Sequence, residues 1–289
     1  MIRNATEEDI IQLKNLWDQS FDDPLNYVDF IYRQVSRLAD TFVYDLGEEL
    51  AAMVTLIPTQ FVYKNKSALA MYIYGAATAP QHRGKGIMTA LFRHVEEYAR
   101  NLDFVLSLLV PGEKFLFDYY RRRGYSADFN CRMITIKPGM IKKDLVLDVD
   151  VDVDKISPRE LYQLREEALT DTPHIRWTDG QLGFVFEDLR IYGEHIARYN
   201  GELGRSYAIY STGKNMHIKE CFGSTREAEM AVIKDIIQKN NPRRVTLNQP
   251  VDSRLFAYEG RIERYGIVKP LQASVSLKDL KPYMNLMLD

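Results

Sequence analysis

Cysteine is nearly absent from this chain: two residues in 289, Cys131 and Cys221, with no CxxC pair. That excludes a disulfide framework and a cysteine-based zinc site. Long apolar runs are missing too, and none approaches the roughly 18 residues of a membrane-spanning helix. The five histidines (82, 94, 174, 195 and 217) show neither HxxxH nor HExxH spacing, so no metal is expected. Neither charge sign prevails. Lys+Arg number 38 against 40 Asp+Glu, a net charge of −2, which argues against a nucleic-acid coat or a polybasic membrane binder. The opening MIRNATEEDI is charged from Arg3 onward, with no apolar secretion segment behind it. A cytoplasmic protein with no nucleic-acid or membrane partner is expected. What is present is a 46% hydrophobic, 27% charged composition, enough for a real core. At about 150 residues per domain, the length gives two domains.

The pattern of the first 140 residues reads β-α-α-β-β-β-α-β-α-β. IRNAT opens as a strand. Thr6 has Asp9 three residues on, a variant capping box, before the helical repeat of Ile10, Leu13, Leu16 and Trp17. A second amphipathic helix covers 24–38. TFVYDL and AAMVTLIPTQFVY form a hairpin about Gly47, and SALAMYIYGAATA is a strand stopped by Pro80. Residues 86–100 are helical, with a stripe of Ile87, Leu91, Val95 and Tyr98. FVLSLLV (104–110) suits a buried strand, parallel to its predecessor across the helical crossover. A short helix over 113–123 stops at Gly124, and SADFNCRMITI is a further strand.

A boundary falls near 138–157, where Asp148, Asp150, Asp152 and Asp154 alternate with valine. A calcium loop fails here, because positions six and twelve from Asp148 hold Val153 and Arg159 rather than Gly and Glu. A strand with carboxylates on its wet face is the expectation. Beyond it come the helix SPRELYQLREEALT, a less regular segment with Trp177 and FVFEDLRIY, three strands (HIARYN, SYAIYS, NMHIKECFG), a helix over 225–239 and the strand RVTLNQP. This repeats the strand–strand–strand–helix–strand order of the first half. The apolar tail SVSLKDLKPYMNLMLD is expected to pack onto the body.

The chemically informative segment is AATAPQHRGKGIMTAL, residues 76–91. A strand ends at Pro80, and a glycine-containing loop runs straight into an amphipathic helix. Gly84 and Gly86 permit positive φ and close approach of a ligand. The free amides of the helix start form an anion site suited to a pyrophosphate, and Arg83 and Lys85 add positive charge. A Walker loop fails because Gly84-Lys85 is followed by Gly86 and no glycine lies five residues earlier. The GxGxxG pattern fails because Thr89 stands at the third glycine.

The loop instead matches the acyl-CoA pattern R/Q-x-x-G-x-G/A, with Arg83, Gly84, Lys85, Gly86, Ile87 and Met88 occupying it and Met88 in place of a small last residue. One strand later, LLVPGEKFLFDYYRRRGY fits the spacing Y-x-x-x-G-[FY] at Tyr120, Gly124 and Tyr125. With the opening IRNATEEDIIQLKNLW, these pieces resemble the GCN5-related N-acetyltransferase superfamily over about residues 1–135. The second half matches in element order only. The whole is similar to tandem proteins of the enhanced-intracellular-survival type, whose extra sterol-carrier-like domain this chain is too short to contain in full. The resemblance implies an α/β (α+β) chain of two tandem acetyltransferase-like domains, 1–140 with the acetyl-CoA site and 141–289 degenerate, each a mixed, mostly antiparallel sheet flanked by helices.

The same resemblance implies direct attack of a primary amine, on a small molecule or peptide, upon acetyl-CoA, with no metal. Tyr120 would be the general acid toward the departing thiolate. A strand amide near Ala76, Ala77 and Thr78 would receive the thioester carbonyl, and the pantetheine arm would pair with a splayed strand edge. For the base, Glu113, the terminal carboxylate of Asp289 and ordered water all stay open. Arg121, Arg122 and Arg123 form a basic run, of which one could meet the adenosine 3′-phosphate. His82 is expected to be exposed. Asp22 and Asp23 could attract a cationic amine or cap a helix. In the second half, CFGSTREAEM places Glu227 and Glu229 in the first helical turn, where they would repel a pyrophosphate. Only the first half is therefore expected to bind CoA. A non-catalytic acyl-CoA sensor and an aminoacyl-tRNA-dependent transferase are the competing readings; the acceptor and the oligomeric state stay open.

Overall fold

The protein is described from a computed structural model, covering residues 1–34, 40–64, 66–137, 141, 149–257, 259–273 and 275–286. It is a mixed α/β chain that divides into two compact units. Unit 1 is Met1–Phe61, Ser67–Ala127 and Ile267–Lys278; unit 2 is Val62–Lys66, Asp128–Gly266 and Asp279–Asp289. Against the expected division at 140/141, the strand 127–136 has its register partners in unit 2, and a late segment, 267–278, belongs to unit 1.

Unit 1 contains β1 (Ile2–Asn4), α1 (Ile10–Asp18), α2 (Leu25–Gln34), β2 (Asp40–Asp45), β3 (Leu50–Tyr63), β4 (Lys66–Thr78), α3 (Ile87–Asn101), β5 (Leu106–Leu109) and α4 (Leu116–Arg121), with the boundary residues of β3 and β4 assigned to unit 2. Its sheet runs β1-β2-β3-β4-β5, and residues 267–270 close it beyond β5. β2 and β3 form the expected hairpin, Phe42 opposite Val54. β4 and β5 are parallel, as the crossover predicts. β5 is buried along its whole length, which explains its unbroken apolar sequence. Leu91, Val95 and Ala99 of α3 are fully buried. The variant capping box is present: the Asp9 carboxylate accepts the Thr6 N–H at 2.7 Å. Arg3 also donates to Asp9 at 2.7 and 2.9 Å and holds its carboxyl down at about 2.

Unit 2 contains β6 (Ala127–Ile136), β7 (Val151–Val153), α5 (Pro158–Ala168), β8 (His174–Arg176), α6 (Asp179–Ile191), β9 (Glu194–Gly201), β10 (Gly204–Ser211), β11 (Asn215–Gly223), α7 (Arg226–Asn240) and β12 (Arg244–Pro250). Its sheet order is β6-β12-β11-β10-β9-β7. One pair, β11–β12, is parallel and is bridged by α7, matching the β4-α3-β5 crossover of unit 1. The duplication read from element order is therefore a duplication of topology.

Several elements depart from the sequence reading, β8 (His174–Arg176) among them as a strand that went unread. The segment after Trp177, read as irregular, is the helix α6. Its glycines weaken the helical signal, but Thr178 and Gln181 make a reciprocal capping box that starts it. Among the described residues the acidic stretch keeps three residues of strand, β7, with Asp152 paired to Arg198 at 2.5 Å and Asp154 bonded to His195; Asp148 lies outside the described residues. The last strand, β13 (Arg261–Pro270), went unread because its first half is charged and exposed. The apolar tail packs as expected: Tyr283, Met284, Asn285 and Leu286 are buried, and Tyr283 bridges His174.

One strand residue of unit 1 is conformationally special. Gly75, three residues before the end of β4, has φ +56°, and a Cβ there would lie 2.6 Å from Trp17 Cζ3. Trp17 in turn packs on Tyr74 and Phe21 and is tied to Asp23 through its indole N–H at 2.9 Å. Asp23 thus holds the indole. Gly75→Ala should lower unfolding free energy by about 2–4 kcal/mol, combining left-handed strain with overpacking against the indole. A urea midpoint matching wild type would show that Trp17 yields at no cost.

Candidate functional site

The site is built at the C-terminal end of β4. The last register pair between β4 and β5 is Tyr72 with Leu108. Residues 73–78 of β4 run on without a register partner in β5 among the described residues, so the two strands separate. Ala76 and Thr78 are half-buried and Ala77 is buried on this stretch. The kink at Gly75 falls inside it, where it changes the direction of the amides that follow. Past Thr78, a short 3-10 turn over Pro80–His82 leads to the glycines. The turn is anchored from two sides. Ala79 N–H donates to Ala51 O at 2.9 Å, and His82 Nε2 lies 2.6 Å from Glu49 Oε1, which holds the Glu49 carboxyl below its ordinary value. His82 is thus half-buried and paired, not exposed as the sequence suggested.

Gly84 and Gly86 have φ +76° and +79°. No atom lies within 4 Å of a Cβ placed on either, so it is backbone conformation and not crowding that requires glycine there. In the sequence itself Gln81, Gly84 and Gly86 fill R/Q-x-x-G-x-G/A completely, so Gln81 rather than Arg83 stands at its first position. Arg83 folds back, its Nε donating to Thr78 O at 3.0 Å, and staples the turn to the strand end. Lys85 is exposed. Gly86 is the N-cap of the 15-residue α3. It offers no side-chain cap, and the first turn carries no acidic residue. Ile87 and Met88 begin the helix half-buried. The first amides of α3 are therefore left for an external acceptor, and the helix dipole favours an anion there.

The corresponding helix of unit 2 is closed. Thr225 caps α7 by accepting the Ala228 N–H at 3.1 Å. Glu229, in its first turn, accepts the Gly223 N–H at 3.1 Å. A side-chain carboxylate sits where a ligand anion would lie, and burial pushes its carboxyl up to about 7. Gly223 has no spare room: a Cβ would lie 2.8 Å from Arg205 O.

Tyr120 lies on α4 with its ring buried among Phe92, Tyr119 and Tyr125, at centroid distances of 5.9, 5.2 and 5.6 Å. Its Oη makes no hydrogen bond among the described residues. Burial raises its phenol above the ordinary range, so it carries its proton at neutral pH. Gly124 has φ +91° and ends the turn after α4, which lets Tyr125 enter the core and bond Ser107 at 2.6 Å. Arg123, read only as part of a basic run, braces α4. It stacks on Tyr119 at 3.4 Å and donates to Thr89 Oγ1 of α3 at 2.9 Å. Phe92 and Thr89 of α3 therefore fix the helix that carries Tyr120. Glu113 is exposed on the loop before α4, with no side-chain partner among the described residues. Asp289 lies outside the described residues. Among the described residues no His, Cys, Asp and Glu cluster could hold a metal.

Residues 1–127 match the family model described as acetyltransferase (GNAT) domain. No curated protein matches in sequence. Among solved structures the chain is similar to a probable N-acyltransferase from Enterococcus faecalis V583 (TM-score 0.75, 15% identity, 94% of this chain and 72% of that one). It is also similar to Eis1 from Mycobacterium abscessus (TM-score 0.71, 13% identity, 94% and 74%). A third is a tandem GNAT protein from the clavulanic acid biosynthesis pathway (TM-score 0.52, 12% identity, 95% and 99%). At these identities the likeness is one of fold.

The plugged helix of unit 2 has a pH signature. A carboxyl whose folded-state value exceeds its unfolded one binds the extra proton in the native state. Stability is then full below the ordinary carboxylate value of about 4.3 and falls as pH rises through about 7. Relative to Glu229→Gln, wild type should lose about 2–3 kcal/mol between pH 5 and pH 8. Parallel stability curves for the two proteins across that range would mean that Glu229 is solvated rather than seated against Gly223.

Proposed function

We propose that the protein transfers an acetyl group from acetyl-CoA to a primary amine of a small molecule or peptide in the cytoplasm, a reading that starts from the match of residues 1–127 to the acetyltransferase (GNAT) domain model. The observation that carries this reading is the uncapped start of α3 with its two open positive-φ glycines, placed at the end of the unpaired stretch of β4. An acyl-CoA has matching chemistry: a diphosphate for the helix amides and an amide-bearing arm for a free strand edge. When bound, it supplies the thioester that is attacked.

The chain's own residues would then act as follows. The amides of residues 84–88 and the charges of Arg83 and Lys85 hold the diphosphate. The backbone of Ala76, Ala77 and Thr78 pairs with the arm and donates to the thioester carbonyl, which stabilises the charge that develops on that oxygen. As the new C–N bond forms and the C–S bond breaks, Tyr120 Oη gives its proton to the leaving sulfur and regains one from solvent as the products leave. Its desolvated phenol keeps that proton until a partner of rising basicity is close. The amine loses one proton, to water or to Glu113, which stands exposed at the entrance to α4. Only the amino-terminal domain binds the donor, because the second domain's helix start is filled by Glu229.

The test is thiol release from acetyl-CoA across a panel of amines. Tyr120→Phe should lower kcat by about a hundredfold at most, the low end for a general acid, because a thiol near pKa 8.5 leaves readily. Gly86→Glu should abolish donor binding while costing about 1–2 kcal/mol of stability from the left-handed backbone alone. Tight acetyl-CoA binding with no turnover on any amine, unchanged in Tyr120→Phe, would make the protein an acyl-CoA sensor instead.

A further inference from the structure

An ion pair inside unit 1 joins its closing strand to the turn after α4. Lys269, on the part of β13 that belongs to unit 1, stands in register with Ser107 of β5. Its ammonium donates at 2.6 Å to the carboxylate of Glu96, a buried residue of α3. A buried carboxylate is costly unless it is paired and hydrogen-bonded. The second cation near Glu96, Arg100, is 3.5 Å away and exposed, so Lys269 is the close partner. The same ammonium donates to Arg123 O at 2.9 Å. That carbonyl lies in the turn ending α4, a helix of six residues. So short a helix does not sustain itself, and its last carbonyls lack internal partners. A cation there satisfies a carbonyl and complements the dipole. The Lys269 stem runs under Gly124, where an added Cβ would lie 3.2 Å from Cε. Its ammonium is 5.9 Å from the centre of the Tyr125 ring, whose hydroxyl bonds Ser107. Two residues paired across neighbouring strands thus hold one turn, Lys269 by its backbone and Ser107 by its side chain.

Tyr120 is tied directly to that turn. Its carbonyl accepts from Arg123 N–H at 2.8 Å and from Tyr125 N–H at 3.3 Å, so a displaced Arg123 carries the Tyr120 backbone with it. Thr89 and Tyr119 hold the Arg123 guanidinium, but a long side chain fixed at its tip does not fix the backbone it leaves. The Lys269 bond acts on the backbone itself. Its other end is anchored on α3, the helix whose start is the anion site. Resting on the reading of Tyr120 as general acid, we infer that Lys269 is its positioning residue: by gripping Arg123 O while paired to Glu96, it sets where the tyrosine hydroxyl stands relative to the start of α3. No local pattern marks this lysine, because it follows most of unit 2 in the chain.

Lys269→Met alone leaves Glu96 buried without its nearer cation, which destabilises strongly. The informative variant is therefore Glu96→Gln/Lys269→Met, which removes both charges together. Thiol release from acetyl-CoA, with the fastest amine of the panel, is measured for wild type, this pair variant, Tyr120→Phe and the protein carrying all three substitutions. Calorimetric titration gives the acetyl-CoA affinity of each. The pair variant should bind acetyl-CoA as wild type does and lose about tenfold in kcat, and no more than Tyr120→Phe loses, as a misplaced general acid requires. In the Tyr120→Phe background the same two substitutions should change kcat by less than about twofold, because the group they position is already gone. A merely structural pair would lower kcat by one factor with or without the Tyr120 hydroxyl, and that result would overturn the inference. So would wild-type kcat in the pair variant, or weakened acetyl-CoA binding, which would place its effect on the start of α3. A wild type that releases no thiol, or a Tyr120→Phe protein as fast as wild type, would remove the reading of Tyr120 itself and this inference with it.

Discussion

The amino-terminal unit is organised around a helix start that the protein itself does not satisfy. An α-helix leaves its first amides without internal partners; the three helices of unit 2 close theirs with a side chain, whereas α1, α3 and α4 of unit 1 do not. α5 is capped by Ser157, α6 by Thr178 and α7 by Thr225. α3, at 15 residues one of the two longest, has only Gly86. Such an end costs little in water, but it is held in place by considerable machinery: the turn over Pro80–His82, the Glu49–His82 pair and the Arg83 staple. Rigid support around an unsatisfied group is what a binding site requires, because ligand contacts gain most when the site needs no reordering.

The second unit serves as an internal control on that argument. It repeats the parallel strand–helix–strand crossover, with β11, α7 and β12 in the roles of β4, α3 and β5. The same backbone problem there is solved by Thr225 and Glu229. The Glu229 carboxyl seated on the Gly223 amide fills that position from within the chain, and its raised value reports how dry the position is. Two copies of one topology thus differ in whether a side chain of the protein itself fills the helix start.

Legibility in the sequence followed from how local each feature is. The glycine loop could be read because two glycines, a proline and an amphipathic helix are adjacent in the chain, although the pattern fits in full from Gln81 and not from Arg83. Tyr120 could be read from its spacing to Gly124 and Tyr125, since a positive-φ glycine is required for the chain to turn Tyr125 inward. Gly75 left a signal that went unused, an isolated glycine in a strand, but its cause, the face of Trp17, is 58 residues away. α6 was hidden by Gly180 and Gly183 despite a capping box. The closing strand of unit 1, residues 267–270, could not be found locally, because what makes it a strand is β5, about 160 residues earlier.

That distant segment matters for the chemistry. Lys269 Nζ donates to Arg123 O at 2.9 Å while holding the buried Glu96 of α3, and its side chain packs on Gly124. A larger residue at 124 would meet both a forbidden backbone angle and Lys269 Cε at 3.2 Å. The turn that positions Tyr120 is therefore fixed by three partners on different elements: Thr89 of α3 through Arg123, Ser107 of β5 through Tyr125, and Lys269. A phenol with no hydrogen bond of its own among the described residues can be aimed only through the helix that carries it. Its orientation is set by these ties rather than by any described group that touches its hydroxyl.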